Sequence, residues 1–270
     1  NASSDTVSPT DQRNFSMVAI STQEKPSIVQ YEKERAELAC AFRWTVRMGL
    51  HEGVANHYSL AVTDCGTKFL INPKLRHFSR TVASDLILLD ANNLETMEQP
   101  DAPDPTAWGL HGALHRNCPH IRCALHAHPT YSTVLASLAN SEMLPINQTT
   151  ARFYNRVVID EQYGGLAFEE EGDRCTELFS DPKTMVMVMG NHGVLAVGDS
   201  VATAFDRLYY FERAAESLIK SYMTGQELRL LSDVIAEKTA RETEEYPDLP
   251  NSHFRELQAI LDVEEPDYRD

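Results

Sequence analysis

The sequence has no apolar stretch long enough to cross a bilayer. Its longest uninterrupted runs, such as Met185–Met189, are five residues, against the roughly 18 to 20 that a spanning helix needs. It is also poor in basic residues, with 24 Lys and Arg against 40 Asp and Glu, a formal charge of −16. That balance argues against nucleic acid or an anionic membrane as the partner, because both select clustered positive charge. The five cysteines (Cys40, Cys65, Cys118, Cys123 and Cys175) are an odd number and contain no Cys-x-x-Cys pair. This fits reduced thiols in a cytoplasmic protein better than a disulfide framework. The first 25 residues lack the basic start and apolar core of a secretory leader.

What remains is a globular composition, 42% hydrophobic and 24% charged, in a chain of 270 residues that can bury a core without staples. Residues 1–25 read as a flexible arm and 26–225 as one domain. Residues 226–270 read as an acidic helical extension, whose 13 acids and 5 bases hold half of the net charge. A helical period begins near Ile28, and short β-like runs follow at Tyr58–Val62, Phe69–Ile71 and Leu86–Leu89. Thr106–Arg116 reads as a helix, Ile121–His126 as a buried strand, and another helix starts near Pro129. Thr184–Met189 and Val194–Val197 read as strands around a tight Gly190-Asn191-His192-Gly193 turn. A long amphipathic helix starts at Val201, capped by Asp199 or Ser200. In the extension, helical runs Leu228–Lys238 and Phe254–Leu261 flank Pro247 and Pro250. Alternating strands and helices predict an α/β fold.

Five of the ten histidines (His111, His115, His120, His126 and His128) fall within 18 residues. In a strand, residues two apart share a face, so His126 and His128 can meet one ion. His192, in a turn whose glycines free the backbone, supplies a third imidazole. Three imidazoles without cysteine match the donor set of a catalytic zinc site, which keeps a coordination position open. His111 and His115, four apart on a helix, share a face and have imidazoles suited to proton transfer. Tyr131 and Tyr163 are candidate proton donors. His57 and His77 with Lys74 and Arg76 form a candidate anion-binding loop, Trp108 a candidate pocket wall, and Glu169-Glu170-Glu171 a helix start.

These segments resemble the class II aldolase/adducin family, which includes fuculose-phosphate aldolase and ribulose-phosphate epimerase. The resemblance rests on Glu52-Gly53-Val54-Ala55-Asn56-His57-Tyr58-Ser59, on Phe69-Leu70-Ile71-Asn72-Pro73 followed by Thr81–Leu86, on His126-Ala127-His128-Pro129 and on Gly190-Asn191-His192-Gly193. The closing Pro266-Asp267-Tyr268-Arg269 is similar to that of a bacterial adducin-like subgroup. The resemblance implies a three-layer α/β/α sandwich with a central mixed sheet. It also implies a divalent metal on His126, His128 and His192, most simply zinc, with manganese, cobalt and iron as alternatives, and a homotetramer with active sites between subunits. Family aldolases carry an acid/base Glu where this chain has Ala107. Asn56 of the phosphate cradle is kept, whereas Lys74-Leu75 and Pro105-Thr106 replace its small residues. The expected activity is a metal-dependent lyase or isomerase acting on a small hydroxy- or oxo-acid or sugar derivative through an enediolate, with Asn56, Lys74, Arg76 and Thr106 toward the substrate. The alternative is a non-catalytic adducin-like scaffold or metal sensor.

Overall fold

The structure, a computed structural model, describes residues 30–165 and 170–270. The expected flexible arm therefore lies outside the described residues. Seven strands form one sheet: β1 His57–Ala61, β2 Lys68–Ile71, β3 Ile87–Asp90, β4 Cys123–Ala127, β5 Val157–Asp160, β6 Val186–Met189 and β7 Gly193–Gly198. The order across it is β3-β2-β1-β4-β7-β6-β5. Every neighbouring pair is antiparallel except β5 and β6, which makes the sheet mixed.

The helices are α1 Glu32–Arg47, α2 Pro105–Asn117, α3 Thr130–Ala136, α4 Gln148–Ala151, α5 Glu170–Leu178, α6 Val201–Met223, α7 Asp233–Glu244 and α8 Leu249–Glu264. Strand alternation sorts them into two layers. Cys123, Leu125 and Ala127 of β4 and Val194 and Ala196 of β7 pack toward α1, α3, α6 and α8. Ala124 of β4 and Leu195 and Val197 of β7 pack toward α2 and α5. The result is the expected α/β/α sandwich.

Its elements follow from local chemistry. Ser200 accepts from the Thr203 N–H to open α6, and Gly225, at φ 66°, lies just beyond the helix end. Asp104 accepts from the Thr106 N–H to open α2, with Pro105 in the first turn, where its missing N–H costs nothing.

Two expectations are corrected. The first helix of the extension spans Asp233–Glu244 rather than Leu228–Lys238. Pro250, read as a separator of helices, sits in the first turn of α8. Strand β5, half-buried and without an alternating pattern, is an addition to the expected strands, its only local signal being the short β-branched run Val157-Val158-Ile159.

The extension joins the main core. Phe254, Leu257 and Leu261 of α8, with Tyr268, lie in the same apolar cluster as Leu38 and Phe42 of α1. Buried Arg43 of α1 pairs with Glu265 at 2.9 Å and Asp267 at 2.8 Å. Among the described residues no helix is long and apolar enough to cross a membrane.

Candidate metal centre

Strand β4 carries His126 on the α2-facing side, and His128, two residues on, keeps that parity past the strand end. Cross-strand register sets His57 of β1 directly beside His126. His192 comes from the β6–β7 turn, where Asn191 takes a left-handed conformation (φ 59°). That turn lies tight against β4: a Cβ on Gly193 would sit 2.5 Å from the His128 ring and 2.7 Å from the Ala127 carbonyl oxygen. Glycine at 193 is therefore a condition of the site.

The three rings converge with centroids 4.7 to 4.8 Å apart, and one nitrogen of each lies within 4.8 Å of the others. Hydrogen bonding assigns the tautomers of two of them. His126 Nδ1 stands 3.1 Å from the Val194 carbonyl oxygen and His128 Nδ1 stands 2.6 Å from Glu52 Oε2. Both partners only accept, so both Nδ1 atoms carry hydrogen and both Nε2 atoms are bare. Those bare Nε2 atoms face each other at 3.0 Å. Two lone pairs at that separation repel unless a cation lies between them. A proton is a poor candidate, because burial pulls the His126 imidazole far below its ordinary range and lowers His128 as well. The residues fit a divalent metal. The third imidazole has a carboxylate behind it at longer range, His192 Nδ1 being 3.7 Å from Glu171 Oε1.

A cavity of about 310 Å³ opens beside these nitrogens. Asn56, Lys74 and Thr106 line it, and Ala107 and Glu171 contribute to its wall. Asn56 Oδ1 accepts from the Glu52 N–H, while its buried Nδ2 donor has no protein partner among the described residues. Arg76 is turned away and pairs with Asp85 at 3.1 Å. Tyr131 packs on the opposite face of the sheet, its ring beneath the Lys220 ammonium. Tyr163 is half exposed, its ring 6.0 Å from that of His192. Trp108 packs on Phe69 of β2.

His111 and His115 do not reach the cavity. They are wholly buried behind β1, His111 bonded to His57 (2.8 Å) and Ser59 (2.5 Å), and His115 to Ser59 (2.8 Å). Burial pulls both imidazoles down to about 3, with smaller pushes from His115 on His111 and from Arg122 on His115. The expectation of titration near neutrality is thus corrected: a group shielded on all sides keeps its neutral form. Four residues at the site escaped sequence reasoning as site residues: Glu52, Ser59, Glu171 and, as a neighbour of the metal ligands, His57. The parity of β1 with β4 would have exposed His57 and Ser59. Nothing local signals the two glutamates.

The class of protein is thus a mixed-sheet α/β/α sandwich with three imidazoles converging at the strand ends into a candidate metal site. The profile of the class II aldolase and adducin N-terminal domain matches residues 36–219, and the chain belongs to this family. It is 29% identical over 196 residues to a class 2 aldolase-type protein of Pseudomonas aeruginosa, covering 72% of this chain and 73% of that one. It is 27% identical over 224 residues to rat beta-adducin, 80% of this chain but 30% of the adducin. It is 25% identical over 188 residues to the decarboxylase NovR of Streptomyces niveus, covering 67% and 68% of the two. Among solved structures, an aldolase II superfamily protein of Pseudomonas syringae superposes with a TM-score of 0.80 at 25% identity, over 92% of this chain and 98% of that one. An L-fuculose 1-phosphate aldolase of Glaciozyma antarctica shares the fold, with a TM-score of 0.75 at 20% identity over 92% and 97%.

Proposed function

We propose that the chain is a metal-dependent lyase acting on a small hydroxy- or oxo-acid or sugar derivative, by aldol cleavage or decarboxylation, with isomerisation as a related outcome. The observation that carries this reading is the pair of bare Nε2 atoms of His126 and His128 facing each other beside an open 310 Å³ cavity. With His192 they would hold the ion. Zinc suits three neutral imidazoles, and manganese, cobalt and iron are the alternatives. A bound divalent cation supplies Lewis-acid stabilisation of negative charge on adjacent substrate oxygens.

The chain's own residues supply the rest. Val194 and Glu52 fix the orientation of His126 and His128 through Nδ1. The unpaired Asn56 amide donates to a substrate oxygen, and Lys74 and Thr106 line the entry. Two carboxylates line the cavity: Asp104 is engaged in capping α2, and Glu171, 3.7 Å from His192 Nδ1, is left to hold or move a proton that Ala107 cannot. Exposed Val54 and Leu75 at the same cavity support a tetramer in which a second subunit covers the entry. The relative NovR is a decarboxylase, and that activity supports the reaction class.

Elemental analysis of the purified protein tests the reading, with about one transition-metal ion per chain expected and loss of that metal in His126→Ala. Turnover of a panel of α-keto and β-hydroxy acids, abolished by chelator, is the second expectation. Ala107 favours the other reading, a non-catalytic adducin-like scaffold, and metal without any turnover across the panel would decide for it.

A further inference from the structure

Behind the cavity four side chains form one unbranched hydrogen-bonded row. His57 Nδ1 lies 2.8 Å from His111 Nε2, His111 Nδ1 lies 2.5 Å from Ser59 Oγ, and Ser59 Oγ lies 2.8 Å from His115 Nε2. The row ends at His115 Nδ1, which is buried with no partner among the described residues. Its other end is the Nε2 of His57, a residue that lines the cavity with its ring 4.7 Å from that of His126. No protein group bonds that Nε2 among the described residues. β1 alternation explains the row: His57 and Ser59 both point toward α2, and His111 and His115 lie one turn apart on it.

Each neutral imidazole carries one hydrogen, and the serine carries one. If His115 held its hydrogen on Nδ1, a buried N–H would have no acceptor. If both His111 Nδ1 and His115 Nε2 donated to Ser59, the hydroxyl hydrogen would have none. Either leaves an unmade bond at a buried donor, the costly case. One arrangement pairs every buried donor: His115 Nε2–H donates to Ser59, Ser59 donates to His111 Nδ1, and His111 Nε2–H donates to His57 Nδ1. His57 must then carry its own hydrogen on Nε2. A bare lone pair is all that is left at His115 Nδ1.

We propose that His57 is a substrate-binding residue that presents a fixed Nε2–H donor to an anionic or carbonyl oxygen in the cavity, and that Ser59, His111 and His115 are positioning residues that lock this tautomer. The site is therefore polarised to accept an oxygen bearing lone pairs, such as a carboxylate or oxo group, at the point next to His126. Its role in binding rests on the lyase reading; the tautomer does not.

Solid-state NMR of full-length zinc-loaded protein labelled with 15N-histidine reads the tautomers directly, with His57 assigned by its loss in His57→Gln. The expected result is His57 protonated at Nε2 and bare at Nδ1, with His111 the same and His115 bare at Nδ1. A His57 protonated at Nδ1, or a mixture of the two, overturns the proposal. In Ser59→Ala the lock is gone, and the His57 signal should become mixed; an unchanged single tautomer refutes the positioning role. Calorimetric titration with oxalate as the probe reads the donor. His57→Leu should weaken oxalate roughly tenfold or more, the factor of one hydrogen bond to a charged group. His57→Gln, which keeps an amide N–H, should stay within about threefold. Equal affinity of His57→Leu and the unmodified protein overturns the binding role. A protein that takes up no zinc would instead defeat the lyase reading, and the same spectra recorded on the zinc-free protein would decide the tautomer with the same expected and overturning results.

Discussion

Acid should unfold this protein early, and the cause is the buried histidine row rather than its many carboxylates. His111 and His115 are held down to about 3 by burial, while in an unfolded chain each titrates near 6.5. The folded state therefore binds fewer protons than the unfolded one, and the stabilisation is complete above about pH 6.5 and is lost as pH falls toward 3. Between pH 7.5 and 5 each residue gives up about 2 kcal/mol, about 4 kcal/mol for the pair, against a usual total of about 5–15 kcal/mol. Carboxylates with depressed values, such as Glu237 held by Arg156 and Asp262 held by Arg269, lose their contribution only below about pH 4.5 and leave this window clear. Urea unfolding followed by circular dichroism, with chelator present at pH 7.5 and 5, measures the loss. His115→Phe preserves a ring stacked on Phe69, whose centroid lies 4.5 Å away, and removes one proton site. Its loss between the two pH values should be smaller than that of the unmodified chain by about 2 kcal/mol. Equal losses would refute the reasoning, because the other buried imidazoles, His57 and His126, are common to both proteins.

Three further outcomes follow from contacts already described or from the start of α3. Gly193→Ala places a methyl 2.5 Å from the His128 ring; metal affinity should fall about tenfold or more, read by competition with a chromogenic chelator, with the circular dichroism spectrum unchanged. Buried Glu212 accepts from the N–H groups of Tyr131 and Ser132 and from the Ser132 hydroxyl, which anchors the start of α3 beside His128. Glu212→Ala should cost about 3–5 kcal/mol by leaving buried donors unpaired and Glu212→Gln distinctly less, as urea midpoints will report. Deleting residues 226–270 removes Phe254, Leu257, Leu261 and Tyr268 from the main core, about 6–12 kcal/mol of apolar burial. The product should aggregate on expression, and a soluble, cooperatively folding product would refute that estimate.

The sequence carried most of the sheet because its strands are apolar runs with one parity buried on each side, and periodic helices such as α6 announced themselves through caps and spacing. The metal triad was legible for a similar reason: His126 and His128 share a strand parity, and the glycines around His192 mark a turn. What was illegible depends on contacts between distant segments. His111 and His115 looked reactive because helical spacing gives their common face but not what covers it, and β1 covers it completely. Arg76 looked available until Asp85 was found beside it. The role of α8 is of the same kind, since an acidic, Pro-interrupted stretch reads as an appended helical extension while its apolar stripe of Phe254, Leu257 and Leu261 joins the main core beside α1 and α6.

Ala107 raises the sharpest question about activity, and the packing of α5 on α2 bears on it. A Cβ on Gly172 would stand 2.2 Å from the Gly109 carbonyl oxygen and 2.8 Å from Ala113 Cβ, so only glycine lets the two helices meet there. Gly109 lies two residues beyond Ala107, and Glu171 immediately precedes Gly172, so this contact brings a carboxylate from α5 to the cavity wall that Ala107 also lines. A proton-moving group need not arise at the same chain position, only at the same point in space. Glu171→Ala should then keep the metal, because the three imidazoles remain, and lose turnover by about a hundredfold or more, the usual contribution of general acid–base catalysis. Ala107→Glu added to that variant should restore part of the rate by returning a carboxylate from α2. Turnover of Glu171→Ala equal to that of the unmodified chain would show that the proton is handled elsewhere, and the Gly109–Gly172 contact would then be packing alone.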